Sequence, residues 1–443
     1  MNTQEKHLII GAGPVGLGAA QALKEWGIPY DQVDASRSVG GNWYHGVYET
    51  AHIISSRKVT QYDNFPMPAD YPDFPSRQNM LDYLNAYADH FNLRENITFN
   101  TKVLYVRPVE NSLWEVTLDH GEMRLYKGVL CCNGHHWSKD IPHFEGQFSG
   151  KMLHSKDYKS PDQLRGRRVL VIGAGNSAMD IASEAARVAS FAAISLRSGV
   201  WLLPKTAFGL PFTDFIKPWM PIWFQRLLLR AIIRVVVGNY ETYGLPKPDH
   251  RIFEKHPTIS TEVLHYFKHG RLKARRGVRC LDGDHVEFTD GVREAYDLII
   301  TATGYQIDYP FLPRELVRVQ GKHVLAYASA MYADYKGLYL LGWAQPRGGF
   351  GSLVTPGMHL LARVIKLQEE ISIPVGLVMK SAGEKLPDTH LIDPHQLQWD
   401  LRRAKVLFPV LRWWAKRLDR KHPGFQNEVL PAPEKLEPGI QVF

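Results

Sequence analysis

The residues best placed to do chemistry are glycines, and they come in two sets. Gly11, Gly13 and Gly16 spell GxGxxG, and Gly173, Gly175 and Ala178 spell GxGxxA. Glycines at this spacing let a backbone turn tightly and approach a pyrophosphate, which then sits at the N-terminus of the following helix. Asp34 follows the first set at the distance from which a carboxylate reaches a ribose 2′-hydroxyl. Arg197 holds the corresponding place after the second set, where a guanidinium suits a 2′-phosphate and selects NADP over NAD. Asn176, Ser177 and Ser198 border that second site. Two bound dinucleotides mean redox chemistry carried by cofactors, with the protein binding and orienting them.

Other chemistries lack their residues. There is no Ser-His-Asp arrangement and no paired acid and base. Cys131, Cys132 and Cys280 form no CxxC, no metal-ligand spacing and no disulfide framework, which fits a reducing compartment and argues against a dithiol reductase. His135 and His136 are adjacent but have no carboxylate or thiol at ligand spacing. No metal site is expected, and the two histidines read as polar residues on a loop after a strand.

The elements that must position the glycines are legible around each set. Residues 8–10 and 169–172 are apolar strands, helical composition follows each turn, and second strands lead to Asp34 and to Arg197. Between the two units, Met80, Leu84, Tyr87, Ala88 and Phe91 share one helical face, and strands are expected at 97–104, 113–118 and 129–132. Beyond the second unit, residues 298–305 (LIITATGY) read as a buried strand with a tight exit at Gly304. Residues 337–345 form another strand ending near Gly342 and Gln345, backed by a helix over 358–366.

At 443 residues, with 44% hydrophobic and 22% charged side chains, the chain is long enough for two or three folded domains. The net charge of +8 is mostly local, because Arg402, Arg403, Lys405, Arg412, Lys416, Arg417, Arg420 and Lys421 are opposed over 401–422 only by Asp419. A basic tail outside both nucleotide units does not point to nucleic acid. In that tail Leu407, Val410, Leu411, Trp414 and Leu418 fall at helical spacing, with Pro409 expected to start or kink the helix. The segment 215–240 carries Lys217, Arg226, Arg230 and Arg234 and no acid, too many interruptions for a membrane span. Peripheral membrane contact through 215–240 and 401–422, or a homodimer face, is the expectation for these stretches. Residues 7–10 are already needed as a strand, so no signal peptide is expected, and the location read from this is cytoplasmic, with peripheral membrane association.

Further motifs mark a family. Gly40-Gly41-Asn42-Trp43 follows Asp34 in the order acid, short loop, GGxW. Residues 148–159 match FxGxxxHxxxYK through Phe148, Gly150, His154, Tyr158 and Lys159. With the two glycine sets and the ATGY exit, this order resembles the flavin-containing monooxygenases, relatives of the Baeyer-Villiger monooxygenases, over about residues 7–365. The Baeyer-Villiger fingerprint ends in Trp-Pro, which this chain lacks.

The resemblance implies an α/β fold of two Rossmann-like dinucleotide-binding domains, the NADP domain inserted into the FAD domain. The FAD domain would comprise 1–158 and 298–395, and the NADP domain 159–297 with an apolar insertion at about 205–260, followed by a basic amphipathic tail at 396–443. Gly11, Gly13, Gly16, Asp34, Gly41, Trp43 and Gln345 would hold FAD; Gly173, Gly175, Asn176, Ser177, Arg197 and Ser198 would hold NADPH; His154 would couple the domains rather than move a proton. The implied activity uses NADPH and O2 to insert one oxygen atom into a small hydrophobic substrate through a C4a-(hydro)peroxyflavin. The alternative is an FAD/NADPH oxidase, or a reductase passing electrons to a partner. One departure stands out: where many members have an asparagine, this chain has Ile54, followed by Ser55, Ser56 and Arg57. Those three are expected to line the flavin and nicotinamide pocket, with bound NADP+ taking over the role of the missing amide.

Overall fold

The computed structural model describes residues 2–217 and 219–433; position 218 of the expected insertion and residues 434–443 of the expected tail lie outside the described residues, as does residue 1. In chain order the first elements are β1 (His7–Ile10), α1 (Pro14–Glu25), β2 (Tyr30–Val33), α2 (Arg77–His90), β3 (Ile97–Thr98) and β4 (Gly128–Cys131). Next come β5 (Lys151–His154), β6 (Arg168–Ile172), α3 (Asn176–Val188), β7 (Phe191–Ser195), α4 (Ile222–Val236), β8 (Lys273–Arg275) and β9 (Leu298–Thr301). The chain then forms β10 (Leu338–Leu340), α5 (Gly351–Glu370) and α6 (Pro394–Asp419).

The strands build two five-stranded sheets, ordered β10-β4-β1-β2-β3 and β5-β9-β6-β7-β8. All pairings in both are parallel. Parallel strands need helical crossovers on both faces, and the near-continuous apolar runs LII and VLVI satisfy that double burial. The fold is therefore a pair of Rossmann-like units, with the second inserted between β4 and β10 of the first. Strands β5 and β9 lie just outside the expected 159–297 span, yet they hydrogen-bond into the second sheet, which runs from Lys151 to Thr301.

Three expectations change in detail. The strand expected at 97–104 breaks into Ile97–Thr98 and Val103–Pro108, because Asn100 adopts a left-handed φ of 51° and its N–H bonds to the Ser36 carbonyl at 2.9 Å. The helix expected at 358–366 is the longer α5, which runs through Pro356 at its sixth position, where the hydrogen bond to the Ser352 carbonyl is forgone. The tail helix is α6, with Pro409 in its interior and a different inward face from the one expected. Phe408, Leu411, Ala415 and Leu418 pack on the first core, while Leu407, Val410 and Trp414 are exposed. The helix is fixed in this rotation by Asp419, which accepts from the N–H groups of Ser372 (2.8 Å) and Ile373 (3.1 Å), and by Glu370, which pairs with Arg412 and Lys416.

At the head of β1, buried His7 has an Nδ1 with no partner. Burial, the largest effect, helps push its pKa down to about 4. The unfolded chain, with a histidine near 6.5, therefore binds the proton first. Stability from the neutral imidazole is complete above pH 6.5 and drains away as pH falls toward 4, by about 3 kcal/mol in all. His7→Val should flatten that part of the profile, measured by urea unfolding at pH 7.5 and 4.5; parallel losses in both proteins would refute it.

Candidate functional site

Each glycine turn is shaped for a ligand that approaches the backbone. Gly11 has φ +107°, and a Cβ there would stand 2.5 Å from the Cys132 carbonyl oxygen. Gly13 N-caps α1 with no side-chain cap, and Pro14 follows at the first helical position, so the helix N-terminus faces the cleft with its N–H groups unclaimed by a side chain. Gly16 does not line the cleft: a Cβ there would meet the Gly11 carbonyl oxygen at 2.0 Å, so its role is helix–strand packing. Gly41 has φ +56° and lies against Gly13, where a Cβ would come within 3.1 Å of the Gly13 Cα. Asp34 is held at the end of β2, its Oδ2 accepting from Ala12 N at 2.6 Å and its Oδ1 from Ser36 N at 2.7 Å.

The second turn repeats the device. Gly173 has φ +142°, and a Cβ would clash with Ala302 O at 2.2 Å. Gly175 N-caps α3 without a side-chain cap, and a Cβ there would meet nothing within 4 Å. Nothing in the protein demands glycine at 175, and the open space there would admit a phosphate close to the backbone. Asn176 is less free than its position implies, because its Oδ1 accepts from Ile259 N at 2.7 Å. Arg197 is exposed and has no hydrogen-bond or ion-pair partner among the described residues. The residues present thus fit a dinucleotide at both turns.

Both turns open into one cavity of about 2460 Å³. Gly11, Gly13, Asp34, Gly41, Trp43 and Gln345 line it from the first unit, and Gly173, Gly175, Asn176, Ser177, Arg197 and Ser198 from the second. Ile54 also lines it, whereas the expectation for its three neighbours is corrected. Ser55 turns inward to Thr60 Oγ1 at 2.8 Å; Ser56 bonds Asp214 and, through its N–H, Thr213; Arg57 donates to the carbonyls of Pro68 and Ala69 at 2.7 Å each. Arg57 opens the short helix Arg57–Thr60, Ser56 caps it and Ser55 precedes it, and all three side chains are engaged away from the cleft.

The fingerprint residues lie outside the cavity and join its walls. Phe148 ends the strand Glu145–Phe148, and Gly150 is required beside it, since a Cβ would lie 2.7 Å from the Phe148 ring. His154, at the end of β5, donates from Nε2 to Gly304 O at 3.0 Å and accepts at Nδ1 from Lys156 N at 3.1 Å. Both ring nitrogens are occupied in the neutral form, and burial lowers its pKa, so this histidine positions the Gly304 turn. Lys159 donates to the carbonyls of His45 at 3.0 Å and Gly46 at 3.5 Å, in the turn that follows Gly41. Tyr158 and Thr50 both donate to buried Glu184 on α3, and Tyr48 donates to Asp180 one turn earlier at 3.0 Å.

Sequence reasoning missed the histidine pair. His135 and His136 follow β4, and Gln345 bridges them, its Nε2 donating to His135 Nε2 at 3.0 Å and to His136 Nε2 at 2.6 Å. His135 Nδ1 donates in turn to Gly342 O at 2.6 Å. An amide that only donates requires both rings to be neutral acceptors, and burial drives both pKa values down. The available signal was position: a loop at the carboxyl end of the strand beside β1 borders the ligand in this fold. Glu184 carried no such signal, being one acid in a helix.

Glu184→Ala should cost about 2–4 kcal/mol, because two charge-assisted hydrogen bonds vanish and the Tyr158 hydroxyl is left buried without its acceptor. Glu184→Gln should recover about half. Denaturant melts superimposable on the parent protein would exclude the clasp.

The family described as Flavin-binding monooxygenase-like matches residues 4–389. A "Probable indole-3-pyruvate monooxygenase YUCCA9" of Arabidopsis thaliana is 31% identical over 321 residues, 68% of this chain and 75% of that protein. "Flavin-containing monooxygenase 2" of Homo sapiens is 31% identical over 390 residues, 81% of this chain and 72% of that one. Among solved structures, NADP+-bound cyclohexanone monooxygenase from Rhodococcus sp. Phi1 superposes with a TM-score of 0.72 at 16% identity, covering 92% of this chain and 98% of its own. The flavin-containing monooxygenase from Stenotrophomonas maltophilia gives 0.64 at 24% identity, covering 83% and 99%.

Proposed function

The chain belongs to the flavin-binding monooxygenase-like family, and from that premise we propose that it uses FAD, NADPH and O2 to put one oxygen atom into a small, largely hydrophobic substrate. The reaction is an S- or N-oxygenation or a Baeyer-Villiger oxidation. The observation that carries the reading is the single cavity into which both nucleotide turns open. When bound, the two cofactors supply the reducing equivalents and the activation of O2. The chain's own residues bind, orient and exclude water: the helix N-termini of α1 and α3 take the pyrophosphates, Asp34 the ribose, and Arg197 the 2′-phosphate. Ile54 contributes an alkyl wall where an amide would donate.

The electron-transfer alternative is less well supported. Cys131 and Cys132 are buried and their thiols are pushed up by burial, so they offer no thiolate relay. The cavity instead continues along apolar side chains of α5 and α6, among them Leu361, Val364, Leu401 and Phe408, which suits a hydrophobic molecule.

Purified protein carrying FAD should oxidise NADPH only with O2 and yield product heavier by one oxygen atom on some member of a panel of ketones, thioethers, tertiary amines and 2-oxo acids. Hydrogen peroxide equal to NADPH consumed, with every substrate, would favour the oxidase. Arg197→Ala should raise KM for NADPH about tenfold or more and leave NADH unchanged, since a charge-assisted phosphate contact contributes roughly 1.5–3 kcal/mol. Equal effects on both cofactors would remove Arg197 as the phosphate reader.

Peripheral lipid contact belongs to the same proposal. No helix among the described residues is long and apolar enough to cross a membrane. Trp223, Leu227 and Val235 on α4, and Trp399, Val406, Val410 and Trp413 on α6, are exposed. Arg402 and Arg417 stack over Trp399 and Trp413 at 5.7 and 5.6 Å. Aromatic and basic side chains on one helix face suit an anionic interface. Phosphatidylserine vesicles should sediment the protein, and Trp399→Ser with Trp413→Ser should halve the bound fraction or more; equal sedimentation by both would end the idea.

A further inference from the structure

The order of strands fixes where the redox ends of two dinucleotides must lie. In the first sheet the β1 turn separates β2, which carries Asp34, from β4 and β10, whose ends carry His135, His136 and Gln345. A dinucleotide with its ribose at Asp34 and its pyrophosphate at Gly11 and Gly13 extends its redox ring toward β4 and β10. In the second sheet the β6 turn separates β7, which leads to Arg197, from β9, which leads to Gly304. Lys322 Nζ stands 3.6 Å from the position of a Cβ on Gly304. The Gln345 N–H bonds to His390 O at 2.8 Å, which places His390 beside the same junction.

Basic groups crowd the cavity lining there, although Asp140, whose N–H bonds to Gly304 O at 3.0 Å, lines the cavity as well. His136, His256, His390 and Lys322 all line it. Lys322 and the His390 ring have no hydrogen-bond or ion-pair partner among the described residues, and His256 uses only Nδ1, toward Pro257 O at 3.1 Å. The charges acting on His136 and His390 are His135, His256, His323 and Lys322, with no carboxylate among them. Burial first, and then Lys322, pushes the His390 pKa down to about 4. An anion placed there favours the charged form of His256 and His390, opposing the burial that lowers their pKa values. Neither dinucleotide carries a phosphate at its redox end, so the anion must come from a third ligand.

We infer that this junction is an anion site, and that the substrate carries a carboxylate held by Lys322 and His390, with its apolar remainder lying between α5 and α6. The inference rests on the monooxygenase reading for calling that ligand the substrate. Its test reads binding rather than turnover. Protein loaded with FAD and NADP+ is titrated by calorimetry with benzoate, phenylacetate and 4-phenylbutyrate, and with the amide of each. At least one acid should bind tenfold or more tighter than its amide. Lys322→Met with His390→Gln should cut that preference below threefold, with FAD content and NADP+ affinity unchanged. Acid affinity should rise from pH 8 to pH 6 with proton uptake, because the anion lifts the depressed His390 pKa. No acid preference in any pair overturns the site, as does a preference that survives the double variant while NADP+ binding weakens. Absence of proton uptake removes His390 from it. Acid binding that persists in a protein with no O2-dependent NADPH oxidation would sink the enzymatic reading and leave the anion site standing.

Discussion

Two redox rings held by separate sheets can react only if the sheets are held at one relative position, and the polar clasp between them is what the site depends on. Lys159 reaches back to the turn after Gly41, while Tyr158 and Thr50 meet on Glu184 of α3. Lys159 and Thr50 cross between the units, and Tyr158, from the segment between β5 and β6 of the second unit, fixes the carboxylate that Thr50 meets. Tyr158 and Glu184 are buried, while Lys159 and Thr50 reach in from the exposed rim, so the geometry at Glu184 is enforced by the cost of leaving a buried polar group unpaired. Apolar packing alone would tolerate sliding between units, whereas hydrogen bonds of this kind set a register.

The same economy governs the wall opposite. Gln345 presents one donor to each of two imidazoles, and the ring orientation of His135 is fixed by the Gly342 carbonyl. That chain ties the end of β10 to the loop after β4, adjacent strands of the first sheet. A protonated imidazole at either position would face the amide N–H groups with no lone pair to accept them. The wall is therefore neutral, and burial disfavours the charged form of His256 and His390 as well, so cationic character at the junction falls to Lys322 until an anion is bound.

Much of the fold was legible because it is carried by local signals. The glycine sets, the apolar strands and the acid or arginine at the end of each unit specify two βαβ devices without reference to anything distant. The inward face of α6 was not legible, because Leu407, Val410 and Trp414 are as apolar as Phe408, Leu411 and Leu418. What chooses between the two faces is distant: Glu370 on α5, and the N–H groups of Ser372 and Ile373 that Asp419 caps. Ser55, Ser56 and Arg57 were misplaced for a similar reason. Their distance from Ile54 along the chain is small, but one helical turn at Arg57–Thr60 turns them toward Thr60, the insertion and the 68–69 loop.

Ile54 then acquires a definite consequence. It lines the cavity with an alkyl group while the hydrophilic side chains after it are engaged elsewhere, so this wall offers no side-chain donor to a bound cofactor. Other donors within the cavity come from backbone N–H groups at the turns, from the loops after β4 and β10, from lining side chains such as Arg197 and Lys322, or from a ligand already bound. Those sources lie on different units. A donor supplied across the cleft is in place only while the clasp holds the units together, so in this chain the chemistry of the site and the geometry of the clasp cannot be varied independently.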